Sequence, residues 1–239
     1  MAWNDELYFG GKEMKTFLLT ATYLIGVGEL ILAVYFWITR SGNTTRKVMV
    51  LLTFSTGMWV VLTAATSYVG ETTLTILFMK LVFVFGILLM TALLHLILVF
   101  PSPLFRVDAF HVILLYIPTG IFSAISLSSK AIVEGFTGSS TISGIIIPGP
   151  VYNTYNIFLC LPYLAGLVVL YYRRNKLDGV IRANVSILFW SIVFGGAPAV
   201  VIDLIIPIAF PTLYINTLWA NLATVIWLGA ITYVVRRRR

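Results

Sequence analysis

The chain has 239 residues, of which 59% are hydrophobic and only 10% are charged, and its mean hydropathy is +0.98. A soluble protein of this length cannot hide so much apolar surface, because small domains still expose much of their area, and we therefore expect an integral membrane protein. The net charge of +7 does not indicate nucleic-acid binding, because the cations fall in short clusters between apolar runs, as is typical of membrane-flanking loops. The single cysteine, Cys160, cannot form an internal disulfide.

Seven apolar stretches are each long enough to cross the hydrocarbon core of a bilayer as a helix. We predict a single all-α domain over 1–239, a seven-helix transmembrane bundle with spans at about 16–39, 47–69, 73–100, 108–128, 152–172, 182–208 and 211–235. Pro101 and Pro103 end the third span, because proline removes a donor and clashes with the preceding turn. No cleavable signal peptide is expected, because the first apolar run has full length and no small-residue cleavage site precedes it.

Small residues mark two of the spans. In the first span, Gly26 and Gly28 permit close contact with another helix. In the sixth span, Gly195, Gly196 and Pro198 predict a kink. This kink is either a hinge that transmits a signal or a static bend.

The longest loop, about 129–151, follows the fourth span. Its segment from Thr141 to Ile147 favours strand conformation and is flanked by Gly and Pro. The pattern predicts a small hairpin or lid on the outer face, with an unstructured loop as the alternative.

Basic residues favour one side of the predicted bundle. If the chain crosses the membrane seven times, the loops after spans one, three and five lie on the same side as the C-terminus. The basic residues of these four segments are Arg40, Arg46, Lys47, Arg106, Arg173, Arg174, Lys176, Arg182, Arg236, Arg237, Arg238 and Arg239. The positive-inside rule then predicts an external N-terminus and a cytoplasmic C-terminus. We interpret Arg236–Arg239 as a cytoplasmic anchor, because anionic headgroups attract basic side chains.

Missing residues argue against three classes of seven-span protein. A retinal protein needs a lysine in its seventh span to form the Schiff base, and 211–235 contains none. A zinc hydrolase needs several histidines with a carboxylate, whereas this chain has only His95 and His111. A G-protein-coupled receptor needs an acidic–Arg–aromatic triplet that the end of span three lacks. We therefore expect no retinal or other cofactor, no metal and no enzymatic activity.

Four ionisable residues stand out in the interior of the predicted spans, away from the span ends: Glu29, Lys80, His95 and Asp203. They form the candidate intramembrane ligand site, because such groups are costly in a membrane and often mark function. Lys80 and Asp203 share a depth, which favours an ion pair; alternatively they clamp two helices or reach the headgroups. Glu29 is either a ligand or gating group, or a core carboxyl bonded to Thr and Ser hydroxyls of neighbouring spans. His95 is either a helix–helix hydrogen-bonding residue or a pH sensor.

Four motifs run along the chain: TGMWVVLTAATSYV in span two, LLHLILVFPSP closing span three, GPVYNTYNIFLCLPYLAGLVVLYYRR entering and forming span five, and RRNKLDGVIRANV leading into span six. Together they resemble the seven-transmembrane sensor region at the N-terminus of many prokaryotic histidine kinases, over nearly the whole chain. The resemblance implies a module in the plasma membrane of a prokaryote that passes a signal to cytoplasmic modules, with no catalytic residue in the membrane part. Because kinase motifs are absent from these residues, the output is expected to pass to a cytoplasmic partner or to an output domain missing from this sequence.

Three functional hypotheses follow. The first is a non-enzymatic sensor or receptor module in the lipid bilayer, whose intramembrane or outer site takes a lipid or a small apolar ligand among its many aromatic side chains. The second is a structural or assembly subunit that binds other membrane subunits. The third is a small permease or channel, which ranks last because the sequence shows no internal repeat and one broken helix.

Overall fold

A computed structural model describes residues 11–39, 44–66, 68–69, 72–101, 108–137, 145–201 and 218–236. The elements are, in order, α1 (Gly11–Ile38), α2 (Thr44–Thr66), α3 (Thr72–Val99), α4 (Ala109–Ser128), β1 (Val133–Thr137), β2 (Ile145–Pro148), α5 (Tyr152–Lys176), α6 (Gly179–Val200) and α7 (Leu218–Arg236). The first six helices are long and apolar enough to cross a membrane, and α7 contains the apolar stretch Ala223–Val234. The chain therefore has the architecture of an all-α, multi-pass membrane protein.

Several helices continue beyond the predicted apolar spans. Helix α1 begins five residues earlier than its span, and α5 runs through Lys176 instead of ending near 172. The backbone stays helical there because a helix that leaves the hydrocarbon core loses no hydrogen bond, while long basic side chains reach water beside it. The end of span six and the start of span seven, with the turn between them, lie outside the described residues, so the seven-span count stays a prediction.

The described helices form a closed ring, with one of them, α4, outside it. Each helix of the ring contacts the next one. The order around the ring is α1, α2, α3, α5, α6 and α7, and α7 contacts α1 again. Helix α4 packs chiefly on α3 and touches α5 through Phe122, whose ring lies 5.7 Å from that of Tyr155. The first and last helices of the described chain are therefore neighbours.

Helices α1 and α2 cross closely at two glycines. A Cβ atom on Gly26 would lie 2.6 Å from Cγ2 of Val61, and one on Gly57 would lie 3.0 Å from the carbonyl oxygen of Gly26. By contrast, a Cβ atom on Gly28 would meet no atom within 4 Å. Only the first of the two glycines predicted to allow close contact in span one is thus used for it within the described part of the chain.

The loop after α4 contains the predicted hairpin. Strands β1 and β2 pair antiparallel from Val133 opposite Pro148 to Thr137 opposite Ile145, with an irregularity near Val133. Ile132 and Val133 are buried and pack with α3 in the hydrophobic core. The two paired strands of the predicted hairpin are therefore present, and their base is part of the core. Residues 138–144 between them lie outside the described residues, and the position on the outer face stays a prediction.

The outward surfaces of the helices carry large apolar side chains, as expected where lipid replaces water around the protein. On α4 the exposed apolar residues are Phe110, Ile113, Leu114, Ile117, Ile121 and Leu127.

The start of α4 is polar: Asp108 accepts hydrogen bonds from the backbone N and ring Nδ1 of His111 at 3.1 and 2.6 Å. These bonds hold the pKa of Asp108 below its ordinary value, as is usual for a carboxylate at a helix N-terminus.

Candidate functional site

Glu29 joins the first and last described helices. Its side chain is in the buried stripe of α1, with 6% of its surface exposed. Thr224 of α7, also buried, donates its hydroxyl to Oε1 of Glu29 at 2.7 Å. This is the kind of hydroxyl partner on a neighbouring span that the sequence led us to expect. Burying an ionisable group at this depth is costly, so the position is the strongest candidate for a functional polar site.

The Glu29 carboxyl is only partly satisfied. Within the described part of the chain, its second oxygen, Oε2, is buried and has no hydrogen-bond partner, and neither has Oγ1 of Thr22. Thr22 lies seven residues earlier on α1, two turns along the same helix face. Buried polar atoms are nearly always paired with protein, water or a ligand. The buried α1 face therefore offers an oxygen acceptor at Glu29 that can take a donor from a bound molecule.

We expect the Glu29–Thr224 bond to be measurable as a coupling. Thr224→Val should lower the free energy of unfolding by about 1–3 kcal/mol, because it leaves a buried acceptor without its donor. In a Glu29→Leu background the same change should cost less, with a coupling energy of about 0.5–2 kcal/mol in denaturation from mixed detergent micelles. Thr53→Val is the matched control, because this buried hydroxyl bonds Met49 of its own helix at 2.8 Å. Additive losses for Glu29 and Thr224 would contradict the contact.

Lys80 bonds the end of α4. Its Nζ atom lies 3.4 Å from the carbonyl oxygen of Leu127, and Ser126 donates its hydroxyl to the Lys80 carbonyl oxygen at 3.0 Å. A cation near the last carbonyls of a helix is favourable, because it complements the helix dipole. The predicted partner, Asp203, lies outside the described residues, so that ion pair stays a prediction.

His95 lies in a row of polar contacts between α3 and α4. Its Nδ1 atom is 3.2 Å from the hydroxyl of Tyr116, and Thr91 and Thr119 bond each other through their hydroxyls at 2.7 Å. The other ring nitrogen, Nε2, is buried and unpartnered among the described residues. This geometry matches the helix–helix role weighed for His95, and the row attaches α4 to the ring of helices. Within the described part of the chain, Glu29, Lys80 and His95 each bond a different partner, and no hydrogen bond or ion pair joins any two of them.

Arg173 is a buried residue with several hydrogen bonds, although the sequence predicted that it lies in the loop after span five. It lies in the last turn of α5 with only 5% of its surface exposed. Its guanidinium donates to the carbonyl oxygens of Ile97 at 3.0 Å, Leu98 at 3.3 Å and Phe100. In a continuing helix, the carbonyl oxygen of Ile97 would accept a hydrogen bond from the backbone N–H of the residue four positions later. That residue is Pro101, which has no backbone N–H. The sequence signal was therefore present: a proline leaves carbonyls free at the end of α3, and an arginine fork can satisfy several of them.

The predicted hinge residues are closely packed on both sides. A Cβ atom on Gly195 would lie 3.2 Å from the carbonyl oxygen of Ala223 on α7, and one on Gly196 would lie 2.8 Å from the ring of Tyr163 on α5. The Tyr163 hydroxyl also donates to the carbonyl of Ile192 at 3.1 Å. The glycines thus let α6 approach two helices at once. Pro198 lies inside α6 near its end, and a hinge motion stays a prediction.

The predicted cytoplasmic anchor is described only at its start. Arg236 ends α7, and Arg237–Arg239 lie outside the described residues. No group of three or more His, Cys, Asp or Glu side chains that could hold a metal occurs among the described residues.

No protein-family model matches this chain, and no curated protein matches it. The resemblance to kinase sensor regions therefore stays a prediction.

Proposed function

We propose that this protein is a non-enzymatic membrane sensor module whose last helices pass a signal to a cytoplasmic partner or output domain. The observation that carries the proposal is the buried Glu29–Thr224 bond, in which one carboxyl oxygen holds α7 and the other is free of partners within the described residues. A donor from a lipid or a small, mostly apolar ligand that binds Oε2 changes the strength of the bond to Thr224. The polar contact to α7 is thereby linked to occupancy of the site.

The packing around α7 supports transmission. Gly195 lets α6 approach the backbone of α7 closely, so that displacement of one helix at this point displaces the other, because packed helices are hard to deform independently. In the proposed topology, seven spans with an external N-terminus, both helices reach the cytoplasmic face of a prokaryotic plasma membrane. That orientation rests on the distribution of basic residues.

The test is the position of α7 when Glu29 is changed. Labels at Lys47→Cys on α2 and Tyr233→Cys on α7, with Cys160→Ser, report the distance between two exposed helix positions by pulsed electron resonance in nanodiscs. We expect Glu29→Gln, which keeps one acceptor oxygen of the carboxyl and replaces the other by an NH2 donor, to shift the distance distribution by about 1–2 Å, the scale of helix shifts in switching proteins. Thr53→Val should leave the distribution unchanged.

Two results bear against the sensor proposal. Identical distance distributions for the parent protein and Glu29→Gln would show that the carboxyl is a static core group. Recovery of the protein only together with other membrane chains would also count against the proposal, because a self-standing module should purify alone from its membrane.

A membrane-assembly subunit is the second candidate, and the exposed apolar face of α4 favours it. This helix lies outside the ring and buries little of its surface, so a neighbouring subunit has an apolar helix to pack against. Purification from the native membrane without crosslinking distinguishes the two functions. Stoichiometric recovery with other membrane chains supports the subunit, and recovery alone supports the sensor.

A further inference from the structure

The lipid-facing surface where α5 meets α6 carries an arginine, Arg174, that lies over aromatic rings. The Cζ atom of Arg174 lies 5.5 Å from the ring centroid of Trp190 and 5.9 Å from that of Phe189. Trp190 is 44% exposed and stacks on Phe194, with 5.5 Å between centroids. These distances are within the range of cation–π attraction. The Arg174 side chain is thus fixed on the lipid-facing surface rather than extended into water.

The position of the rings shows how far the guanidinium turns back. Trp190 is eleven residues from the start of α6 at Gly179, which corresponds to about 16 Å along a helix axis. Arg174 lies in the last turn of α5, near the helix end. Its charge therefore lies on the bilayer side of the α5–α6 connection, where a cation is favourable only with an anionic or polar partner.

The guanidinium still has its hydrogen-bonding capacity. Among the described residues, Arg174 makes no hydrogen bond and no ion pair, and its guanidinium lies over the aromatic faces of Phe189 and Trp190. A guanidinium carries five N–H donors in a planar fork that matches the oxygens of a phosphate. Its neighbour Arg173 uses the same fork on backbone carbonyls. Arg174 is therefore poised to bind an oxyanion from outside the protein.

The surroundings select the kind of oxyanion. Lys176, whose Nζ atom lies 4.7 Å from the ring centroid of Tyr172, and Arg182 add positive charge, against the single carboxylate of Asp178. The half-buried Phe189 ring and the exposed Trp190 ring beside Arg174 present an apolar surface suited to an acyl chain. A molecule with a phosphate at the membrane surface and a chain along these rings fits both features.

We propose that the Arg174 guanidinium, together with the rings of Phe189 and Trp190, binds the phosphate and upper acyl chain of an anionic phospholipid. Net positive charge at this end of α5 and α6 favours anionic over zwitterionic headgroups. The lipid bridges α5 and α6 from outside the bundle. This assignment does not depend on the sensor function.

Native mass spectrometry of the full chain in detergent tests the site, with dioleoyl phosphatidylglycerol or dioleoyl phosphatidylcholine as the added lipid. We expect the parent protein to retain phosphatidylglycerol at an added lipid concentration about tenfold lower than phosphatidylcholine requires. One charge-assisted contact is worth about this factor in affinity. Arg174→Gln should remove most of the preference and leave only the part that Lys176 and Arg182 contribute, and Arg174→Lys should keep more of it but not all, because lysine retains the charge and lacks the fork. Lys47→Gln, an exposed cation on α2, should keep it in full.

A second measurement needs no change at Arg174. Brominated phosphatidylglycerol should quench the Trp190 fluorescence, taken as the difference between the parent protein and Trp190→Phe, more than brominated phosphatidylcholine does. Equal retention or equal quenching of the two lipids by the parent protein would overturn the proposal, as would an unchanged preference in Arg174→Gln. Displacement of the lipid by inorganic phosphate at the same concentration would assign the guanidinium to free phosphate and also overturn it.

Discussion

Arg173→Met should lower the free energy of unfolding by about 3–5 kcal/mol, because it leaves the carbonyls at the end of α3 without their charged donor. The guanidinium bonds the carbonyls of Ile97, Leu98 and Phe100, and Pro101 cannot replace it. Denaturation in mixed detergent micelles, followed by circular dichroism, measures the loss. Arg173→Lys should recover part of the stability, because one ammonium group cannot reach all three oxygens in the geometry of the fork.

Arg174→Met is the matched control for this prediction. The two arginines are adjacent in α5, but among the described residues Arg174 lies over aromatic faces and makes no hydrogen bond or ion pair, so its loss should cost less than about 1 kcal/mol. Equal losses at the two positions would mean that the buried contacts of Arg173 contribute no more than a surface cation. The comparison holds composition and helix position constant, because both changes remove one arginine from the last turn of α5.

Gly26→Leu should also destabilise the protein by about 3 kcal/mol or more, because it forces α1 away from α2. A single Cβ atom at this position already lies 2.6 Å from Val61 and 3.0 Å from the backbone nitrogen of that residue. Inserting a larger side chain into a closely packed contact typically costs about 1–3 kcal/mol, and more where backbone must move. Since Glu29 is three residues further along α1, the shift should also weaken its bond to Thr224.

Gly28→Leu provides the control on the same helix. A Cβ atom there meets nothing within 4 Å and the residue is exposed, so the leucine contacts lipid and replaces a residue with poor helix propensity. We expect unchanged or slightly increased stability in the same micelle assay. Equal destabilisation by both changes would contradict the prediction, because it would show that the close crossing of α1 with α2 at Gly26 is not what makes this segment sensitive.

The candidate site was only partly predictable. Glu29 was identified because a carboxyl in an apolar run is costly whatever surrounds it, and a hydroxyl partner was expected from the threonines and serines of the spans. Thr224 itself could not be identified, because it lies 195 residues away and is one of many threonines in the predicted spans. Arg173 was misplaced for a related reason: in RRNK it looks like any basic residue at the end of a span.

The sequence by itself determined the membrane class, the apolar cores of the helices, the end of α3 and the hairpin after α4. These features depend on hydropathy, proline chemistry and strand propensity, which act within a few residues along the chain. Only the tertiary structure decided which of two glycines lies against α2, which of two arginines is buried, and that α1 and α7 meet at Glu29. Gly26 and Gly28, like Arg173 and Arg174, are chemically identical, so only the packing of distant helices distinguishes them.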